Sequence, residues 1–391
     1  MGTSRRFSYL PRAVQESLAG SIINVALDPA TPSGGIVKYE FNEETFKECD
    51  IALLLSVLLY SSIQGSTRQL RLLDLDIPQN FWSTLPGPRF GKDGLRSLAG
   101  EAGRPLFGVI LKPRQGLTPD IAASIAAAAT RGGADYVIDD EVLVDHPRCP
   151  LIERAKRVVK ACDSVAQKRG RPVLYVVNVI SRSSRVQNWI AELINLDRRE
   201  VHLGIMVNGL VMGFEAVAEI REAMPEWPLV ATTVASGMLV LAPHYNISEH
   251  ILAQLARLAG GDAVYSIRHA TEYEYDASKI DTLQKHLWQH QEFVKPAMPI
   301  YAGSISLGSV LRDELPSNPE FMVQAGSTIC GYTQPGQEFP ETITSATRAM
   351  IDALSSAYIE EIRGQSLAEK LVRENNRRGR GLDLHMLGMN T

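Results

Sequence analysis

From residue 104 onward, short apolar runs alternate with amphipathic stretches in a steady rhythm. Runs with the length and character of buried parallel strands fall at Leu106–Leu111, Tyr136–Ile138, Val173–Ile180, Gly204–Val207, Leu229–Val234, Ala263–Ile267, Ile300–Ala302 and Phe321–Ala325. Helical patterns are expected between them, over Pro119–Thr130, Leu151–Lys168, Val186–Asn195, Ala216–Ala223, Ile247–Leu258, Ser278–Glu292 and Ser306–Leu315, with a last helix over Glu341–Arg363. Thr118 and Pro119 supply the N-cap and first-turn proline of the first of these helices. Eight strands, each followed by a helix, predict a (β/α)8 TIM barrel of the α/β class. A doubly wound open sheet is the rival, but no strand is followed by a Gly-x-Gly-x-x-Gly turn.

The first 98 residues are less regular. A short helix over Arg12–Leu18, strands over Ile22–Ala26, Ile36–Phe41 and Leu70–Asp76, and a helix over Thr45–Leu59 suggest a small α+β domain. Pro86, Gly87, Pro88 and Gly91 suit a link. The expected organisation is an α+β N-terminal domain (1–98), a barrel domain (99–365) and a mobile C-terminal tail (366–391), the tail rich in Asn and Arg from Arg373.

Composition narrows the function classes. A net charge of −4, with no basic stripe interleaved with aromatics, gives no support to a nucleic-acid partner. The longest apolar run, Ile51–Leu59, is too short to span a bilayer, and Met1–Leu10 has no apolar core, so neither a membrane nor a secretory route is expected. Cys49, Cys149, Cys162 and Cys330 have no close spacing, which makes a reducing cytoplasmic setting the default. Met206, Met212 and Met238 read as core filler, and His244 as a loop residue.

In a barrel the strand ends converge on one mouth, so their residues form one set. Lys112 and Arg114 end the first strand, and Asp139, Asp140 and Glu141 end the second. Asn178, Asn208, then Thr232, Thr233 and Ser236 follow, with Tyr265, Ser266, Arg268 and His269 at the sixth strand. Gly303-Ser304 and Gly326-Ser327 end the seventh and eighth, where barrels commonly bind phosphate, although any tight turn favours Gly and Ser. Three consecutive carboxylates repel unless something neutralises them. A hard cation such as Mg2+ is one answer. Helix capping, or pairing with Lys112 and Arg114, is the other. Nearby cations or burial would make Lys112 a base, whereas flanking acids would keep it protonated.

At these residues the chain resembles the large subunit of RuBisCO, and specifically the RuBisCO-like proteins. The stretch Gly103-Arg104-Pro105-Leu106 through Lys112-Pro113-Arg114-Gln115-Gly116-Leu117 is similar to that family's first barrel strand and catalytic lysine loop. Gly132-Gly133-Ala134-Asp135 through Asp139-Asp140-Glu141 is similar to its metal-site strand, and Leu258-Ala259-Gly260-Gly261-Asp262 to the approach to its sixth strand. The resemblance implies an N-terminal α+β domain before the barrel, and a homodimer whose sites lie near the partner. It also implies a Mg2+ site at Asp140 and Glu141, completed in CO2-fixing members and in the enolase relatives by a carbamylated lysine. Here that position is Ile138, which forms no carbamate. The loop lysine after the sixth strand falls at Glu272, the strand-5 His-Arg pair is Thr232-Thr233, and the strand-6 His is Tyr265.

Carboxylation of ribulose bisphosphate is therefore not expected. The expected activity is enolisation-type chemistry on a small keto-acid or ketose, carrying one phosphate or none. Lys112, Arg114 and His269 would be catalytic and Asp140 and Glu141 metal-binding, with Mg2+ doubtful. Asn178, Asn208, Arg268, Gly303, Ser304, Gly326 and Ser327 would contact a small-molecule substrate. The alternative is a dimer of the same fold that has lost catalysis and binds a metabolite or a protein.

Overall fold

The structure, a computed structural model, describes residues 9, 11–13, 20–29, 34–46, 50–63, 69–196, 198–233, 237–267, 277–289, 292–312, 315–331 and 338–377. The N-terminal part holds β1 (Ser21–Leu27), β2 (Gly35–Glu40), α1 (Ile51–Ile63), β3 (Leu70–Leu72) and α2 (Gly91–Ala99). The barrel strands are β4 (Leu106–Ile110), β5 (Tyr136–Ile138), β6 (Val173–Asn178), β7 (Val201–Asn208), β8 (Leu229–Thr232), β10 (Ala263–Ile267), β11 (Met298–Ala302) and β12 (Met322–Ala325), with β9 (Tyr245–Ile247) outside the ring. The helices that follow them are α3 (Pro119–Gly132), α4 (Leu151–Arg169), α5 (Ser183–Leu193), α6 (Phe214–Ala223), α7 (Glu249–Leu258), α8 (Ala277–Trp288), α9 (Leu307–Leu311) and α10 (Phe339–Tyr358), and α11 (Gly364–Arg377) comes last.

The eight barrel strands close in chain order, and every neighbouring pair is parallel. Side chains alternate across the wall, as a pleated strand requires. Leu106, Tyr136, Ile138, Leu174, Val176, Met206, Val230, Ala263, Met298, Ile300 and Met322 fill the interior. Phe107, Val109, Val137, Val177, Ile205 and Val264 face the outer helices. The apolar strand runs reflect burial on both faces. Gly108 shows how tight the interior is: a Cβ there would lie 2.1 Å from the Tyr136 ring. The helix caps are also local. Thr118 accepts a bond from Ile121 N (3.3 Å) with Pro119 opening α3, and Gly133, at φ 106°, ends it in the left-handed region open to glycine.

Helix α2 closes the base of the barrel, with Leu95 and Ala99 packed into the interior cluster. It follows directly on the Pro/Gly-rich link and was not foreseen in the pattern. The long helix expected over Thr45–Leu59 is instead a 3-10 turn at Glu43–Phe46 and α1 beginning at Ile51. The strand expected over Leu70–Asp76 ends at Leu72, because its partner β9 is equally short. Ile247 lies in β9, so α7 starts two residues later than its pattern suggests. The tail is helical to Arg377, where one face of α11 packs Leu367 and Leu371 into the core. Met238 is 84% exposed and is no core filler. Of Arg12–Leu18, most lies outside the described residues, as does Cys49. Among the described residues no helix is long and apolar enough to cross a membrane.

Candidate active site

The three consecutive acids after β5 are separated by their partners. Asp139 turns outward. It accepts from Arg154 Nη2 (3.0 Å) and Nε (3.2 Å), from Tyr175 Oη (2.9 Å) and from Asn178 N (3.0 Å). Both carboxylate oxygens are engaged and both side chains of the ion pair are fully buried, so Asp139 anchors α4 to the wall. Asp140 turns inward, to the mouth. It pairs with Lys112 Nζ, lies 3.6 Å from Arg114 Nε, and accepts from Val142 N at 3.1 Å. For Asp140, neutralisation by Lys112 and Arg114 is thus what the fold provides.

Among the described residues Glu141 has no such cation in direct contact. Thr232 Oγ1 donates to its Oε1 at 2.7 Å. Burial is the main cause that pushes its carboxyl up to about 7, and the charge of Asp140 adds to it; Thr232, Lys112 and Arg114 pull the other way. A carboxyl so placed changes charge near neutrality. Tyr265 stands close to both acids, and burial and their charge raise its hydroxyl above the usual range. Tyr265 bonds to Gln324, which also accepts from Tyr136 Oη (3.4 Å), so a polar chain crosses the otherwise apolar interior.

Lys112 reaches Asp140 by lying across the turn after β12. A Cβ on Gly326 would come 2.9 Å from Lys112 Cε, so only a bare backbone leaves the lysine its path. Gly303 (φ 85°) and Ser304 (φ 50°) bend the turn after β11 through the left-handed region, which costs a non-glycine residue about 1–3 kcal/mol and clusters at functional sites. Thr328 ties the two turns together by donating to the Ile305 carbonyl at 2.6 Å. Gly303, Ser304 and Ser327 are exposed at the mouth.

The two asparagines are spent on scaffolding. Asn178 Nδ2 donates to the carbonyls of Asp140 (2.9 Å) and Glu141 (2.8 Å), and its Oδ1 accepts from Ile180 N (2.9 Å). It holds the acid loop in shape. Asn208 Oδ1 accepts from Leu210 N (2.9 Å) and Val211 N (3.1 Å), capping the short turn Gly209–Met212. Arg268, His269, Glu272 and Ser236 lie outside the described residues. Thr232 was among the strand-end residues, and its bond to Glu141 gives it a place in the site. Gln324, inside β12, was not singled out.

The donor set does not fit a resident Mg2+. Asp140 is engaged by Lys112 and Arg114, and the third corner is the 1% exposed side chain of Ile138, which offers no donor atom.

The chain is similar to known proteins over most of its length. The family described as ribulose bisphosphate carboxylase large chain, catalytic domain, matches residues 93–356. A ribulose bisphosphate carboxylase-like protein of Archaeoglobus fulgidus is 28% identical over 328 residues, covering 82% of this chain and 71% of that protein. A Shouchella clausii protein, provisionally named a 2,3-diketo-5-methylthiopentyl-1-phosphate enolase, is 26% identical and covers 91% of this chain and 92% of its own. The crystal structure of a rubisco-like protein from Alicyclobacillus acidocaldarius superposes with a TM-score of 0.79 at 25% identity, over 95% of this chain and 92% of that one.

Proposed function

The chain belongs to the ribulose bisphosphate carboxylase large-chain family, and from that premise we propose that it enolises a small phosphorylated carbonyl compound and does not fix CO2. One observation carries the reading. The Lys112–Asp140 ion pair shares the mouth with Glu141, whose carboxyl burial pushes up to about 7. That is the pairing proton abstraction beside a carbonyl needs: a base that is ionised at neutrality, and a fixed positive charge where the enolate oxygen forms.

In the proposed step Glu141 takes the proton from the carbon next to the carbonyl. The C–H electron pair becomes the C=C bond, and the carbonyl π pair moves onto oxygen, where Lys112 balances it. Return of a proton at the other position gives the tautomer, so nothing is oxidised or reduced. Thr232 aims the carboxyl. Arg114, 66% exposed, is free to meet an anionic group of the substrate, and the turns at Gly303-Ser304 and Gly326-Ser327 would take its phosphate. The diketo phosphate in the name of the Shouchella clausii relative is the first compound to test.

We also propose a homodimer. Ile22 (63% exposed), Leu27 (78%) and Ile36 (59%) leave the β1–β2 hairpin with bare apolar faces that a second copy would cover. The test of function is solvent deuterium exchange at carbons beside the carbonyl, across phosphorylated and free diketones, ketoses and keto-acids. Exchange that vanishes in Lys112→Met and Glu141→Gln is expected. A folded wild-type protein that exchanges none of them overturns the proposal, and leaves the metabolite-binding dimer as the reading.

A further inference from the structure

A second cluster of ligating side chains lies away from the mouth. Asp74 stands just past β3, His250 in the first turn of α7 and His286 in the last turn of α8. Their donor atoms all lie within 4.8 Å of one another. His286 Nε2 is 3.2 Å and His250 Nε2 3.5 Å from the same oxygen, Asp74 Oδ1. The two imidazole rings lie 4.3 Å apart, tilted by 32°.

The hydrogen bonds make this arrangement hard to explain with protein atoms alone. His286 Nδ1 is 2.8 Å from the Thr282 carbonyl, which can only accept, so Nδ1 carries the proton. His250 bonds to the Leu73 carbonyl in the same sense, while its Nε2 is buried without a hydrogen-bond partner. In a neutral ring with Nδ1 protonated, Nε2 is a lone pair. Two lone pairs then face Asp74 Oδ1, which already accepts from Leu75 N at 2.8 Å, with no proton between that oxygen and the rings. A second proton on one ring would satisfy one of the two contacts, whereas one cation among the three satisfies both. Two imidazolium rings at 4.3 Å repel.

We propose that Asp74, His250 and His286 bind a divalent transition metal of the Zn2+ type. Bonds of about 2.0–2.1 Å at tetrahedral angles set ligand atoms about 3.3–3.4 Å apart, and the two measured separations from Asp74 Oδ1, 3.2 and 3.5 Å, bracket that value. Two imidazoles and one carboxylate suit Zn2+ or Co2+, not Mg2+ or Ca2+. Both rings have their other nitrogen fixed by a backbone carbonyl, the usual orienting device of metal-bound histidines. The ion would clasp the segment after β3 to α7 and α8, a structural role separate from the mouth.

The full-length protein, stripped with a chelator, is titrated with Zn2+ against a chromogenic competitor and with Co2+ followed by its visible absorption. One equivalent per chain is expected, with affinity reduced about 100-fold or more in His286→Ala and in Asp74→Asn, and unchanged in Asp140→Asn. Asp74 is exposed, so its variant removes a ligand without opening the core. A Tm that rises with Zn2+ in the wild type and not in Asp74→Asn is the second expected result. Failure of the wild type to bind, or equal binding by wild type and both ligand variants, overturns the site.

Discussion

Buried carboxylates stand at both ends of this barrel, and the two ends hold them differently. At the base, Asp135 accepts from Arg104 Nη1 (2.7 Å) and Nη2 (3.1 Å), Arg171 Nη2 (2.8 Å) and Phe107 N (2.7 Å). Asp262 there accepts from Phe90 N, Gly91 N, Leu229 N and Arg221 Nη1, all between 2.6 and 3.1 Å. Each is saturated by guanidinium and backbone N–H donors. At the mouth Asp140 meets a flexible lysine and an exposed arginine, and Glu141 a single hydroxyl. The base spends its polar groups on the ring, while the mouth leaves its groups able to exchange partners and protons. That division is the one expected of barrel enzymes.

The sharpest way to break the comparison is to remove one acid from the base. Asp135→Ala strands two buried or half-buried guanidinium groups, and a loss of about 3–5 kcal/mol in urea unfolding is expected. At the mouth, Lys112→Met is expected to lower turnover by about 10³-fold or more, some 4 kcal/mol of transition-state stabilisation, while changing stability by less than about 1 kcal/mol. A mouth variant that unfolds the protein, or a base variant that does not, would erase the distinction.

The pH dependence sharpens it. Glu141 binds its proton more tightly in the folded chain than its ordinary 4.5, so its contribution is present below about 4.5 and is lost as pH rises through about 7. The wild type should lose up to roughly 3 kcal/mol across that window from this group, a loss that Glu141→Gln abolishes in urea titrations at several pH values. The rate should rise over the same range, as the base form appears. Gly326→Ala is expected to displace Lys112 and cost about tenfold in kcat with little change in stability. The smallest effect belongs to Thr232→Val: removing the donor that lowers the Glu141 pKa moves the rising limb of the rate profile to higher pH.

The barrel was legible because its strands are buried on both faces and so read as unbroken apolar runs, as Val173–Asn178 does. Helix α2 was hidden by the glycines and prolines before it, and α11 by a polar stretch in which only Leu367 and Leu371 mark the packed face. Lys112, Asp140 and Glu141 could be named from their place at strand ends. Pairing of the acids with Lys112 and Arg114 was one of two open alternatives, but which acid takes which partner was not readable. Which acid meets Arg154 and which meets Lys112 depends on strand pleating and on helix placement across the wall. Asp74, His250 and His286 carry no spacing signal at all, since three separate elements bring them together.

The parallel pairing of β3 with β9 has a consequence for how the chain is made. Leu70 bonds to the His244 carbonyl and the strands pair Leu70 with Tyr245, while Ile51 N at the head of α1 bonds to Glu215. On a ribosome these N-terminal elements emerge first, yet their docking surfaces are translated 164 to 175 residues later. The nascent N-terminal segment must therefore wait, its apolar helix and strand edge uncovered, until much of the barrel has left the exit tunnel. For that interval its apolar residues stay uncovered, and their burial is timed by synthesis of the barrel.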